Sequence, residues 1–111
     1  MAPKNVFLDY DNEEDLLSIS SVNDKVKFSF DIKLPVGDFI INYGFNGRII
    51  GVEFSNASVF FPILRQKDLR KAKAGLRVEY GKNWAQIYYN IFVPNNSSQV
   101  IQGMIPTPMP N

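Results

Sequence analysis

Residues Asp38–Ser58 read DFIINYGFNGRIIGVEFSNAS. Phe39, Ile41 and Tyr43 alternate with Asp38 and Asn42, and Ile50, Val52 and Phe54 alternate with Gly51, Glu53 and Ser55. That is the two-residue period of a strand with one buried face. Between the runs stands Gly44-Phe45-Asn46-Gly47, and Asn-Gly accepts the positive φ angles that match a tight turn to strand twist. The stretch predicts a β-hairpin whose register is set by both pattern and turn.

The same period recurs on either side. In Lys25–Lys33, KVKFSFDIK, Val26, Phe28, Phe30 and Ile32 point one way while Ser29 and the charges point the other. Lysines on the wet face suit a sheet edge that must discourage stray pairing. Leu34-Pro35-Val36-Gly37 ends this run, because proline cannot continue a ladder and glycine permits a turn. Upstream, Tyr10–Ile19, YDNEEDLLSI, places an acidic turn, Asp11 to Asp15, between two short apolar runs and predicts another hairpin. Five strands are thus expected before residue 55.

Beyond Ser58 the pattern changes. Arg65–Lys73, RQKDLRKAK, lacks β-branched residues, is rich in helix formers and precedes Gly75, so it predicts one short helix with Leu69 and Ala72 inward. Leu76, Val78 and Tyr80 then alternate with Arg77 and Glu79, Gly81-Lys82-Asn83 turns, and Trp84–Val93 returns. That last strand is apolar on both faces: Ile87, Tyr89, Ile91 and Val93 on one, Trp84, Tyr88 and Phe92 on the other. Either it is a central strand covered on both sides, or one face meets another subunit. Gln99 to Ile105 predicts one more strand, and Pro106, Pro108 and Pro110 an extended tail over 106–111. The fold class expected is α+β, mostly β. Antiparallel hairpins and one short helix near 65–73 form a single domain over 1–111, with the helix and C-terminal hairpin in 59–105.

Tyr10-Asp11, Asp15, Leu17-Ser18-Ile19, Gly51-Val52-Glu53-Phe54 and Ala57-Ser58 together resemble the domain-of-unknown-function family 2283 over residues 6–58. The pattern is a Tyr-Asp, a second Asp four residues on, a Leu-x-Ile strand, and a Gly-hydrophobic-Glu-hydrophobic strand closing on Ala-Ser. Two features depart from it: Ser18 stands where an aromatic is common, and the stretch from Val22 to Val36 is longer. The resemblance implies no activity. It marks Tyr10, Asp11, Asp15, Gly51, Glu53, Ala57 and Ser58 as family positions, read as structural.

Composition narrows the chemistry. The 111 residues contain neither cysteine nor histidine, which removes disulfides, thiolate nucleophiles, the commonest general base and the commonest metal ligand. The expectation is a non-enzymatic protein without a cofactor. The longest apolar run, Val59 to Leu64, contains a proline and is too short to span a bilayer, so a cytoplasmic protein with no membrane partner is expected.

Asp9, Asp11, Glu13, Glu14 and Asp15 fail the calcium-loop pattern, lacking its sixth-position glycine and its final glutamate, and read as a capped turn instead. Glu53 reads as a solvent-facing charge paired with Arg48 or a cross-strand lysine. No small-molecule substrate is suggested. Charge is lopsided: residues 1–60 carry net −4 and residues 61–111 net +5. Arg65, Lys67, Arg70, Lys71, Lys73 and Arg77 lie within thirteen residues, followed by Trp84, Tyr88 and Tyr89. Basic residues near aromatics hold phosphates and stack bases, so nucleic acid is one expected partner class. The other is a second subunit contacted by Trp84, Tyr88, Tyr89 and Phe92, and a self-associating interaction module is the leading expectation.

Overall fold

The computed structural model describes residues 4–21, 25–65, 69, 71–94 and 99–109. Eight strands follow in chain order: β1 (Lys4–Asp11), β2 (Leu16–Ser20), β3 (Val26–Leu34), β4 (Gly37–Gly44), β5 (Ile49–Phe54), β6 (Lys73–Tyr80), β7 (Trp84–Val93) and β8 (Gln99–Pro108). Helix α1 (Ala57–Phe60) and a 3-10 turn (Pro62–Arg65) separate β5 from β6. The strands form one antiparallel sheet in the order β3-β4-β5-β2-β1-β6-β7-β8, so the mostly-β α+β class holds.

Strand β1 makes the sheet curl. Its first residues pair with β6, Lys4 opposite Leu76 and Val6 opposite Ala74, while Phe7 to Asp11 pair with β2. The two halves sharing this strand fold their inner faces together. Phe39, Ile41 and Tyr43 of β4, Val52 and Phe54 of β5, and Leu17 and Ile19 of β2 meet Ala74 and Leu76 of β6 and Ala85, Ile87, Ile91 and Val93 of β7 in one buried core. Phe54 is central: its ring lies 5.1 Å from Phe39, 5.6 Å from Phe60, 5.0 Å from Phe61 and 5.4 Å from Tyr89. Aromatic contacts between the halves are how a chain this small closes a core.

Several expectations are corrected. The short helix lies at Ala57–Phe60, not at 65–73: Lys71 is in a turn and Lys73 already opens β6, while 66–68 and 70 lie outside the described residues. Helix propensity is a weak prior, and pairing with β7 claims the last residue of that segment, Lys73, as the start of a strand. Pro106 and Pro108 do not belong to a tail, and 110–111 lie outside the described residues. Pro106 and Pro108 sit in β8 opposite Gln86 and Trp84. Met109 N–H donates to Asn83 C=O at 3.0 Å, so odd-numbered residues of β8 turn their backbone to β7. The prolines therefore fall where an N–H would face the free edge.

In the turn between β4 and β5 only Gly47 has positive φ, 80°. Gly44 and Arg48 close a three-residue loop through the Gly44 N–H to Arg48 C=O bond at 2.8 Å. A register shift between Asn42 and Tyr43 places Ile49, not Ile50, opposite Tyr43. Ile49 joins the core in consequence, whereas simple alternation had assigned Ile50.

Candidate functional site

The family positions converge on Asp15. This residue sits at the end of the β1–β2 turn with φ 53°, a conformation aspartate tolerates better than most side chains. Its Oδ1 accepts from the Tyr10 hydroxyl at 2.6 Å and the Ser58 N–H at 3.0 Å, and its Oδ2 accepts from the Ser58 hydroxyl at 2.7 Å. Its backbone C=O accepts from Ala57 N–H at 2.9 Å. One aspartate thereby satisfies two of the free N–H groups at the start of α1, which Asn56 does not cap. Asn56 instead donates its side-chain amide to Val36 C=O at 3.0 Å.

Asp11 holds the turn itself, its Oδ1 accepting from Glu13 and Glu14 N–H at 3.0 and 3.1 Å. Gly51 lies so close to β2 that a Cβ would sit 2.9 Å from both Ile19 O and Ser20 Cβ. Glu53 accepts from the Asn42 amide at 2.8 Å, and Asn42 Oδ1 accepts from Ser29 at 2.6 Å. Its partner is therefore a buried asparagine on β4 rather than Arg48, whose guanidinium lies 4.8 Å above the Tyr80 ring. These positions together form a latch between a turn, a helix start and two strands.

The outer face of β6–β8 is built differently. Alternation sends Lys73, Arg77 and Glu79 outward beside Trp84, Gln86, Tyr88 and Phe92, with Met104 opposite Tyr88. Trp84 is 47% exposed, Phe92 39% and Met104 50%. Arg77 stacks 4.0 Å above the Tyr88 ring and bonds Glu79 Oε2 at 2.7 Å. The Tyr88 hydroxyl lies 2.9 Å from Glu79 Oε1 and 2.8 Å from Gln86 Oε1. Hydrogen bonds from Tyr88 and then Arg77 hold the Glu79 carboxyl below its usual value, and Glu79 in turn raises the Tyr88 hydroxyl. A shallow trough of about 480 Å³ runs beside this group, with Asn90, Gln102 and Met104 in its lining.

Of the residues expected to meet a partner, Trp84, Tyr88 and Phe92 thus share one face. Tyr89 does not: it points inward, its ring 5.4 Å from Phe54 and 6.0 Å from Phe61, and desolvation raises its hydroxyl pKa. Of the basic cluster, Lys73 and Arg77 lie on this face and Lys71 is exposed in the preceding turn. Arg65, Lys67 and Arg70 fall outside the residues whose side chains are described. Sequence reading missed the Ser29–Asn42–Glu53 ladder, because nothing in the spacing of three polar residues announces that register brings them side by side.

A curled antiparallel sheet with a hydrogen-bonded latch defines the molecule as an all-antiparallel β module with one helical turn. Residues 7–58, holding that latch, match the model of the family described as Protein of unknown function (DUF2283), as the sequence resemblance implied. No curated protein and no solved structure matches the chain. Among the described residues, no helix is long and apolar enough to cross a membrane.

Proposed function

We propose that the protein is a non-enzymatic interaction module that associates with itself through the outer face of β6–β8. The reading is carried by one observation: Trp84, Phe92 and Met104 lie exposed around Tyr88 on a single sheet face while the inner face of the same strands is fully used by the core. Scattered exposed apolar residues are ordinary, but a group of large ones on one sheet face marks a contact. The latch residues serve structure, since each named bond joins one backbone element to another.

Light scattering over a range of concentrations tests this. Masses at multiples of 12.6 kDa are expected, falling to a smaller multiple in a Trp84→Ser, Phe92→Ser variant; a monomeric wild type at every concentration, or a mass unchanged by the double substitution, contradicts it. Nucleic acid remains the alternative because Lys73 and Arg77 flank exposed aromatics on this face. Against it, Arg77 is already neutralised by Glu79. A gel shift at low salt that disappears on Lys73→Glu and on added salt would favour the alternative over self-association.

A further inference from the structure

We infer that β3 is a second, independent docking edge, and that its occupant is β3 of another copy, antiparallel about a two-fold axis through Ser29. The two ends of the sheet differ. At the β8 end, Pro106 and Pro108 remove donors from the free edge, as the Met109–Asn83 bond implies. At the β3 end no proline intervenes between Val26 and Leu34. Ser55 N–H donates to Asp38 C=O at 2.9 Å, so Asp38 turns its backbone to β5. Its partner Lys33 therefore turns its own backbone groups to solvent. Alternation carries the same exposure to Asp31 and Ser29, leaving a row of donors and acceptors that no other described strand pairs.

The side chains of that edge complement themselves. KVKFSFDIK is near-palindromic about Ser29: Val26 matches Ile32, Phe28 matches Phe30, and Lys27 matches Asp31. A two-fold pairing centred on Ser29 sets Phe28 against the second copy's Phe30, and Lys27 against its Asp31, twice over. Phe28 and Phe30 are 41% and 44% exposed on the inner side of the sheet, Phe28 with one ring face stacked on the core residue Tyr43 at 4.7 Å. The Asp31 carboxylate has one oxygen, Oδ2, 3.4 Å from Lys33 and a side chain 43% exposed, so it is open to a further cation.

Lysines on an edge repel strands that bring no acid, and here the copy brings one. Charge also bears on the register: an axis at Asp31 would set two aspartates face to face, and one at Phe30 would oppose Lys27 and Lys33, whereas the Ser29 axis opposes Lys25 and Lys33 only beyond the irregularity that ends the ladder. Lys27 sits within the irregularity between Val26 and Phe28 and has no partner on β4, so the regular pairing is confined to Phe28–Phe30 of each copy, with Lys27 and Asp31 at its two ends. Symmetric, self-complementary pairing of one patch with itself is the signature of a two-fold homodimer.

This contact does not involve the β6–β8 face, so the experiment is run in the Trp84→Ser, Phe92→Ser background, where the contact proposed above is removed. The chain has no cysteine, so Ser29→Cys introduces a single thiol. Paired residues at a two-fold lie within disulfide reach. Mild oxidation is expected to link two copies through position 29 faster than a Lys82→Cys control in the exposed β6–β7 turn. Asp31→Lys is expected to weaken the dimer at least about tenfold, and Lys27→Asp with Asp31→Lys to restore it. Equal crosslinking of the two cysteine variants, or a charge swap that fails to rescue a folded Asp31→Lys protein, overturns the inference. If the dimer and its crosslink survive while Trp84→Ser, Phe92→Ser leaves the wild-type mass unchanged, the edge stands and the outer-face reading falls.

Discussion

The two halves of the sheet share a core but finish their outer faces in opposite ways. In the β2–β5 half, Ser29, Asn42 and Glu53 join hands across three strands, and the buried Asn42 satisfies its amide within the sheet. In the β6–β8 half, Trp84, Phe92 and Met104 stand in the open. The first half also closes its own loops through Asp15, whereas residues 61–111, which include the second half and the connection before it, carry seven of the twelve basic residues. The contrast teaches that the part matching a known family ties its outer face and its turns together with hydrogen bonds, while the rest of the chain leaves large apolar side chains exposed, although the core that both cover is one. A buried polar network that is fully satisfied fixes one arrangement; an exposed aromatic row is stable only if solvated singly or covered.

The comparison breaks most severely where the halves meet. Phe54→Ala removes the ring that touches Phe39, Phe60, Phe61 and Tyr89, and should cost about 4 kcal/mol in chemical denaturation. A loss below about 1 kcal/mol would mean that the halves are not joined there. Asp15→Ala deletes three hydrogen bonds to a carboxylate and leaves alanine in a left-handed conformation, so about 3 kcal/mol is expected. Asp15→Asn keeps the backbone preference and should lose less. If Asp15→Ala destabilises no more than Ser58→Ala, the aspartate is not the node of the latch.

Gly51→Ala tests the close approach of β5 to β2. Its new methyl meets Ile19 O and Ser20 at 2.9 Å, so a loss of about 2 kcal/mol is expected from thermal or urea unfolding.

The smallest effect concerns Tyr43, whose ring stacks on Phe28 at 4.7 Å while its hydroxyl is buried without a hydrogen-bond partner. Thr107 is near enough to oppose the upward push of desolvation on its pKa, yet is not aligned for a bond. Tyr43→Phe should therefore be neutral or stabilising by up to about 1 kcal/mol. Tyr43 and Tyr89 both hold their protons above the ordinary value of 10.0 in the fold. Their contribution is complete below that value and is lost as pH rises through their folded pKa values, so stability should fall above about pH 10. Tyr43→Phe should flatten that fall; an unchanged alkaline profile would count against it.

Much of the fold was legible because period-two alternation at Phe39–Tyr43, Phe28–Ile32 and Trp84–Val93 leaves few alternatives, although the irregularity between Val26 and Phe28 takes Val26 out of that pattern. Three things were not. The bulge that exchanges Ile50 for Ile49 adds one residue without a compositional mark. Lys71 to Ala74 have helix-forming side chains, but Lys71 lies in a turn and Lys73 and Ala74 are drawn into β6 by their neighbours, a tertiary override of local preference. The prolines of β8 look like a tail until one sees that an edge strand has no use for their missing N–H groups. At the candidate site, Trp84, Tyr88 and Phe92 share a face because alternation places them there, while Tyr89 was grouped with them by adjacency alone. The latch was visible as a list of positions, but that Asp15 reaches Ser58 across 43 residues depends on the fold.

Trp84 is the one tryptophan in the chain, and it stands in the surface to which self-association is assigned, so its own fluorescence reports the contact. Diluting the protein should shift Trp84 emission to the red and raise its quenching by acrylamide as the face becomes solvated. Emission already red-shifted, equally quenchable and indifferent to concentration would contradict the account.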